Sequence, residues 1–345
     1  MLDYIIVGAG LSGISIAEEL ISRGKSLMVF ENNSQNSSTV AGGIFNPVIL
    51  KRFTLAWNAG EQLETALPFY RSLEKKLEVS LIDELPIYRK FNSIEEQNNW
   101  FSAMDKPTVE PFLDSNLTNS VNDHIPSNFS FGRVKGTGRI DTSLLIWKYR
   151  EYLKKMNSLI SANFDHSKLV LGEDFVSYNE ISARKILFCE GYGMVANPWF
   201  KFLPLHGNKG EYLVIRSKDL KLQVAVKSSV FILPLGDDLY KIGATYDHKD
   251  VSADPTPAAR ETLLSQVRKM LDCDFEIVDQ VAGIRPATRD RKPIVGQHPQ
   301  FSQLYCCNGF GSRGVLIAPT VAKNFVAYLE EGESLDPEID LKRYL

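Results

Sequence analysis

Met1–Glu31 reads MLDYIIVGAGLSGISIAEELISRGKSLMVFE, and the order of residue types in it decides the fold. A short apolar run ends in Ile5, Ile6 and Val7 and passes directly into Gly8-Ala9-Gly10-Leu11-Ser12-Gly13. Apolar residues then recur at helical spacing (Ile14, Ile16, Ala17, Leu20, Ile21), Arg23-Gly24-Lys25 ends the pattern, and a second apolar run, Leu27–Phe30, leads to Glu31. The order is strand, glycine turn, helix, strand, acid. Gly8 permits the tight turn, Gly10 lets the backbone approach a pyrophosphate, and Gly13 lets the helix pack close to the strand. The helix N-terminus at Leu11 and Ser12 offers N–H groups and a positive dipole end to phosphates. Glu31 is placed to accept hydrogen bonds from a ribose 2′-OH, which favours an unphosphorylated ribose over NADP. The segment predicts a site for FAD or NAD.

At 345 residues the chain exceeds the size at which a single core stops growing, so two domains are expected. Hydrophobic residues make up 44% and charged residues 23%, which is ordinary for a globular enzyme. A formal net charge of −3 creates no global field toward nucleic acid or anionic membrane. The N-terminal apolar run is short, lacks a basic leader and is broken by glycine, so it reads as a strand and not a signal peptide. No stretch approaches the roughly 18 apolar residues of a membrane span, and a cytoplasmic location is expected. The four cysteines, Cys189, Cys273, Cys306 and Cys307, lack CxxC spacing, and the five histidines lack ligand spacing, so neither a disulfide framework nor a metal site is assigned. Cys306 and Cys307 fall in an expected strand, Leu304 to Cys307, as core residues facing opposite sides.

Further along, Ala41-Gly42-Gly43 marks a backbone that must approach something flat or charged. Glu61 to Leu77 reads as an amphipathic helix, and Leu81 to Phe131, with four prolines, as strands and loops of a second domain. Asp141 caps another helix. Lys185 to Cys189, followed by Gly191 and Gly193, reads as a buried strand returning to a parallel sheet beside the nucleotide. Closely spaced strands at Lys209–Ile215, Val230–Pro234 and Tyr240–Asp247 predict an antiparallel sheet, and Pro257 to Leu271 a helix capped near Thr256. A glycine-rich stretch, Asn308 to Gly314, feeds a last helix expected to begin near Ala318-Pro319.

The order of these motifs resembles the D-amino-acid oxidase and glycine oxidase family of FAD enzymes along nearly the whole chain. The resemblance rests on GAGLSG with Glu31, AGGIFNP (41–47), KGEYL (209–213), ILPLGDDLYKIGATYD (232–247), GIRPATRDRKPIVG (283–296) and NGFGSRGVLIAP (308–319). The GATYD, ATRD and GSRG forms are most similar to the branch formed by the FAD oxidase domain of the bifunctional tRNA wobble-uridine modification enzymes. The resemblance implies an α/β protein: a Rossmann-like FAD-binding domain plus an α+β substrate domain built on an antiparallel sheet that roofs the flavin. Its implied segments are 1–80, 132–205 and 289–345 for the FAD-binding domain, and 81–131 and 206–288 for the substrate domain.

Carried over residue by residue, the resemblance assigns Gly8, Gly10 and Gly13 to the pyrophosphate turn and Glu31 to the adenosine ribose. Ala41, Gly42 and Gly43 would lie along the diphosphate and flavin edge, with Gly191 on the return strand. Gly309, Gly311, Ser312, Arg313 and Gly314 would lie over the pyrimidine side of the flavin, where a helix N-terminus stabilises negative charge. Arg285 matches the arginine that forks onto a substrate carboxylate, a role that suits guanidinium geometry. Tyr246 and Arg313 are further candidates at the substrate face. Phe231 stands where glycine oxidase has a substrate-holding tyrosine, which removes one hydroxyl. No cysteine stands beside Arg285, where Pro286, Ala287 and Thr288 follow, so non-covalent FAD is expected.

The implied chemistry is oxidation of the C–N bond of an amino acid or carboxylate-bearing secondary amine, by hydride transfer to flavin N5. Position and field come from the protein. Two alternatives stand beside it. One is the carboxymethylaminomethyl uridine of tRNA, against which the lack of a basic cluster beyond Arg289 to Lys292 argues. The other is a non-catalytic flavin-binding protein. The sequence leaves oligomeric state open.

Overall fold

A computed structural model describes all residues, Met1–Leu345. The strand Leu2–Val7 lies at the centre of an eight-stranded sheet, parallel to Leu27–Phe30 on one side and Ile181–Phe188 on the other. Leu159–Ile160 and Leu304–Asn308 extend the parallel core outward. Successive residues of the central strands serve different faces. Tyr4, Ile6, Leu187 and Cys307 belong to a 37-residue apolar cluster, whereas Ile5, Val7, Ile186, Phe188 and Cys306 belong to one of 18 residues on the other face. A sheet buried on both faces needs apolar residues without alternation, and the run YIIV supplies them. Cys306 and Cys307 face opposite sides and are fully buried, as expected of core residues.

The helices Leu11–Ser22, Ala59–Leu77, Thr142–Lys155 and Gly314–Glu331 cover the larger face. Asp141 accepts the N–H of Leu144 at 3.0 Å, so the expected cap is present. The last helix begins at Gly314, four residues before the expected start, and Pro319 lies inside it. Proline cannot donate to the carbonyl four residues back, here that of Val315. The buried Tyr70 hydroxyl donates to it instead at 2.7 Å, which is why the helix runs through its proline.

The second sheet has seven strands, in the order Glu276–Ala287, His206–Arg216, Leu239–Gly243, Phe231–Gly236, Ala225–Lys227, Ile87–Lys90, Phe131–Val134. All neighbours are antiparallel except Ala225–Lys227 with Ile87–Lys90. The helix Pro257–Arg268, capped by Thr256, packs on this sheet through Leu263, Leu264 and Val267. The region expected to hold only strands and loops also contains a helix, Ile94–Met104. Its signal is Ser93-Ile94-Glu95-Glu96, a capping-box sequence: Ser93 Oγ accepts the Glu96 N–H at 3.1 Å, while Glu96 Oε2 reaches one residue beyond the cap to accept the Asn92 N–H at 2.9 Å. This helix buries Trp100 against Phe53 and Phe91.

At the glycine turn the first helix and the first strand are in backbone contact. A Cβ on Gly13 would lie 1.9 Å from the Gly8 carbonyl oxygen, and one on Gly8 would lie 2.4 Å from that of Cys189, with φ of +102°. The Gly13→Ala substitution should therefore destabilise the protein by at least about 1–3 kcal/mol, the range for forced overpacking. Gly60→Ala, in the first turn of a helix with nothing within 4 Å of the added methyl, should be neutral or stabilising by up to about 1 kcal/mol. Urea unfolding of the two variants checks the contrast, and equal effects would mean that helix and strand do not approach this closely.

Candidate active site

A cleft of about 1550 Å³ runs from the glycine turn to the underside of the antiparallel sheet. That exceeds the roughly 300–1,000 Å³ of an ordinary small-molecule pocket and leaves room for a dinucleotide and a second molecule. Gly8, Gly10, Leu11, Ser12, Glu31, Ala41, Gly42, Gly43 and Gly191 line it, as do Gly311, Ser312, Arg313 and Gly314. Arg285 and Tyr246 line it as well. Gly13 and Gly309 stand behind this lining: Gly13 serves helix packing, and Gly309, at φ +81°, turns the chain out of its strand.

Two helix N-termini open into the cleft. In the first helix, Ile14 is the first residue whose N–H finds a backbone carbonyl, Gly10 O at 3.0 Å, and the Leu11 N–H is held by Ser38 Oγ at 3.3 Å. Ser38 thus occupies the place that an anion's oxygen would take, and nothing in the sequence pattern marked it. In the last helix, Leu316 and Ile317 both donate to Arg313 O, which leaves the Gly314 and Val315 N–H groups without a backbone partner. Each end presents about half a positive charge to the cleft. A Cβ on Gly10 would meet only the Ser38 side chain, its Oγ at 3.3 Å, so no backbone closes that side of the turn. One end suits a diphosphate and the other an electron-rich ring. The residues fit FAD.

Glu31 lies at the strand tip, as expected, but its carboxylate already has three partners. It accepts the N–H groups of Ala9 and Asn33, each at 2.6 Å, and pairs with Arg150 at 2.9 Å. Arg150 also donates to Ala9 O at 3.1 and 3.2 Å, so an arginine from a distant helix fixes the glycine turn. Nothing in its helical pattern singled it out. A carboxylate has about four acceptor positions, so one remains for a ribose.

Arg285 lies on the cleft face of the second sheet, paired in register with Asn208. Its guanidinium lies across Gly210, whose absent Cβ would sit 2.0 Å from Nη2, and stacks 4.7 Å from the centre of the Tyr246 ring. Nη1 donates to Asn208 Oδ1 at 3.4 Å and Thr245 O at 3.3 Å, and Nε and Nη2 donate to no protein group. No carboxylate pairs with it. Tyr246 is 66% exposed and closes the outer side. The Arg313 Nη1 group donates to Asn46 O at 2.8 Å, which ties the helix start to the loop after Gly42-Gly43. Phe231 lies in the cleft wall.

The KGEYL motif proves to be a fastening. Lys209, 1% exposed, donates to Asp250 at 2.6 Å and Ser252 at 3.1 Å, and Glu211 accepts from Thr256 and Gln280 at 2.8 Å. Together they hold the segment that follows Tyr246. A second fastening joins the sheets: Lys241 Nζ donates to Val40 O at 2.9 Å and Ala41 O at 3.2 Å. Of the cysteines only Cys189 reaches the cleft, and burial pushes its thiol well above the usual range, with Ser12 as its neighbour. It is no thiolate for attachment.

The fold and the cleft define a dinucleotide-binding protein. Residues 3–329 match the family model described as FAD dependent oxidoreductase. The chain belongs to this family, and FAD, held non-covalently, is its cofactor. The chain is 24% identical to a glycine oxidase of Pseudomonas aeruginosa, over 99% of this chain and 97% of that one. It is 24% identical to the tRNA 5-methylaminomethyl-2-thiouridine biosynthesis bifunctional protein MnmC of Legionella pneumophila, over 96% of this chain and 55% of that one. The chain thus spans about half the length of the bifunctional relative. Among solved structures, iminodiacetate oxidase from Chelativorans superposes with a TM-score of 0.81 at 17% identity, over 99% of this chain and 98% of that one. No helix is long and apolar enough to cross a membrane.

Burial lowers Lys241 to about 8 from its ordinary 10.5. Between those values the unfolded chain binds the proton that the folded chain has lost, so this group's contribution to stability rises with pH. The stability of wild type relative to Lys241→Met should therefore increase from pH 8 to pH 10 in urea unfolding. A gap that stays constant would place the ammonium in water.

Proposed function

We propose that the protein oxidises the C–N bond of an amine that carries a carboxylate on the adjacent carbon, an amino acid or a secondary amine. The observation that carries this reading is Arg285: a cation inside the cleft, without an acidic partner, whose Nε and Nη2 donors are free. When bound, FAD would supply the oxidising power, as acceptor of the hydride from the carbon beside nitrogen; the amine nitrogen's proton would pass to solvent, and water would hydrolyse the resulting imine. Arg285 grips the carboxylate with two parallel hydrogen bonds, the geometry a guanidinium is shaped for. Asn208 and Thr245 hold its third nitrogen and fix the fork's direction. Tyr246 and Phe231 exclude water on either side and leave the reacting carbon one orientation. Glu31 receives the ribose, the first helix receives the diphosphate, and Arg313 with the last helix start steadies the electron-rich end of the ring. The names glycine oxidase and iminodiacetate oxidase, borne by similar proteins, agree with an amino-carboxylate.

A second reading, the carboxymethylaminomethyl group of a tRNA uridine, draws support from the exposed cations Lys51, Arg52, Arg289 and Arg291 at the cleft's rim and from the bifunctional relative. It uses the same carboxylate handle and the same Arg285.

Arg285→Ala leaves a bound carboxylate unpaired, a loss on the order of 3–5 kcal/mol. That corresponds to roughly two to four decades in the second-order rate of flavin reduction. Arg285→Lys should recover part of it, since a point charge cannot make the two-pronged contact. Anaerobic stopped-flow with glycine, iminodiacetate and a simple amine checks this. Loss with both acids and none with the amine is expected, while retained turnover of the acids, or loss of FAD from the variant, would overturn the carboxylate grip.

A further inference from the structure

Acidic side chains in the cleft are already matched. Glu31 pairs with Arg150, Glu96 with Arg89, Glu190 bonds His166, and Asp290 pairs with Arg343. The cations are not. Besides Arg285, Lys227 faces the cleft with no carboxylate within ion-pair distance, in a chain whose net charge is −3. Its Nζ donates to Ser229 O at 2.6 Å and sits 5.2 Å from the centre of the Phe231 ring. Residues directly opposite one another across strands share a face. The register Tyr212–Gly243–Phe231–Lys227–Arg89 therefore forms one row across the sheet, and all five line the cleft.

The position of Lys227 is built. Buried Arg89 donates to Ser228 O at 2.7 Å and to Glu96 at 2.7 Å, and Ser228 Oγ donates to Asn92 at 2.8 Å. These contacts pin the turn that carries the lysine, and they consume the charge of Arg89 while leaving that of Lys227 free. Burial, with Arg89 beside it, lowers Lys227 to about 8, a cost that an anion would offset.

We propose that Lys227 forms a second anion-binding position, so that the substrate is a small amine with two anionic groups, of which a dicarboxylic amino acid or dicarboxylic secondary amine is the type. This rests on the proposed role of Arg285. The guanidinium reaches over Gly210 to Thr245, two residues along from the row that holds Lys227 and two to three strands across from Lys227's own strand. The ammonium, 5.2 Å from the centre of the Phe231 ring, leans one strand nearer, which leaves one to two strands between the heads. With about 3.4 Å per residue and 4.8 Å between strands, the two cationic heads lie on the order of 10 Å apart. An anion within about 4 Å of each leaves only a few ångströms between the two anionic groups. That suits a compact dicarboxylate and is too short for successive phosphates of an extended strand.

The test is calorimetric titration of the FAD-loaded protein with glutarate and with butyrate, neither of which can be oxidised. Wild type should bind glutarate at least about tenfold more tightly, the worth of one charge-assisted contact. Lys227→Met should abolish the preference and Lys227→Arg should keep it, with flavin content unchanged in both. Equal affinities in wild type, or a preference that survives Lys227→Met, would overturn the second position. Arg285→Ala should weaken both ligands, and failure there would sink the carboxylate grip whatever Lys227 does. A uridine-containing anticodon stem-loop RNA that binds in preference to glutarate, and loses that binding in Lys227→Met, would overturn the small dianion in favour of nucleic acid.

Discussion

Everything in the cleft depends on how closely the first helix approaches the first strand. The Gly8 carbonyl occupies the space that a side chain at residue 13 would need, and Cys189 O occupies the space beside Gly8. With no side chain at either position, the helix axis points its unbonded N–H groups at the ends of three adjacent parallel strands. Ligands bind at such carboxyl ends in open α/β sheets. The geometry comes from backbone packing, so the chemistry of the flanking residues is free to serve other needs. Arg150 and Glu31 use that freedom: one clamps the turn from a distant helix, the other closes it from the second strand.

The second sheet contributes a wall with gaps in it. Gly210, Gly243 and Gly42 remove side chains where guanidinium, tyrosine ring and Leu233 need room. Around those gaps the sheet is fastened by buried lysines, Lys209 to the Tyr246 segment and Lys241 to the loop at Val40 and Ala41. A buried ammonium is costly unless well partnered, and both are. Lys227 differs from them in having a single carbonyl partner, Ser229 O, and in being the one of the three that lines the cleft.

The parallel sheet was legible because its signals are local: an apolar run, glycines at fixed offsets, an acid at a strand end. The antiparallel sheet was legible from strand spacing, although its parallel pair of strands, Ala225–Lys227 with Ile87–Lys90, left no trace in the spacing. Two elements differ from what the local sequence implies, for different reasons. The helix Ile94–Met104 is announced by Ser93 and Glu96, but Pro86 and Pro107 on either side of it read as loop. The last helix starts earlier than Pro319 implies, because a proline that reads as first-turn lies inside the helix with Tyr70 as the substitute donor. Arg285 was found through motif resemblance, while Lys227, Arg150 and Ser38 were not marked, since their relation to the cleft exists only across strands and between distant segments.

The contact between Tyr70 and Val315 makes two positions 249 residues apart in the chain behave as one. An alanine at 319 would add the helical donor to a carbonyl whose two lone pairs can serve both it and the phenol. A phenylalanine at 70 would strand the carbonyl that the proline cannot serve, and an alanine at 319 would then relieve it. The constraint therefore runs one way: the tyrosine can be given up only after the proline, and the helix whose first turn faces the cleft inherits that order.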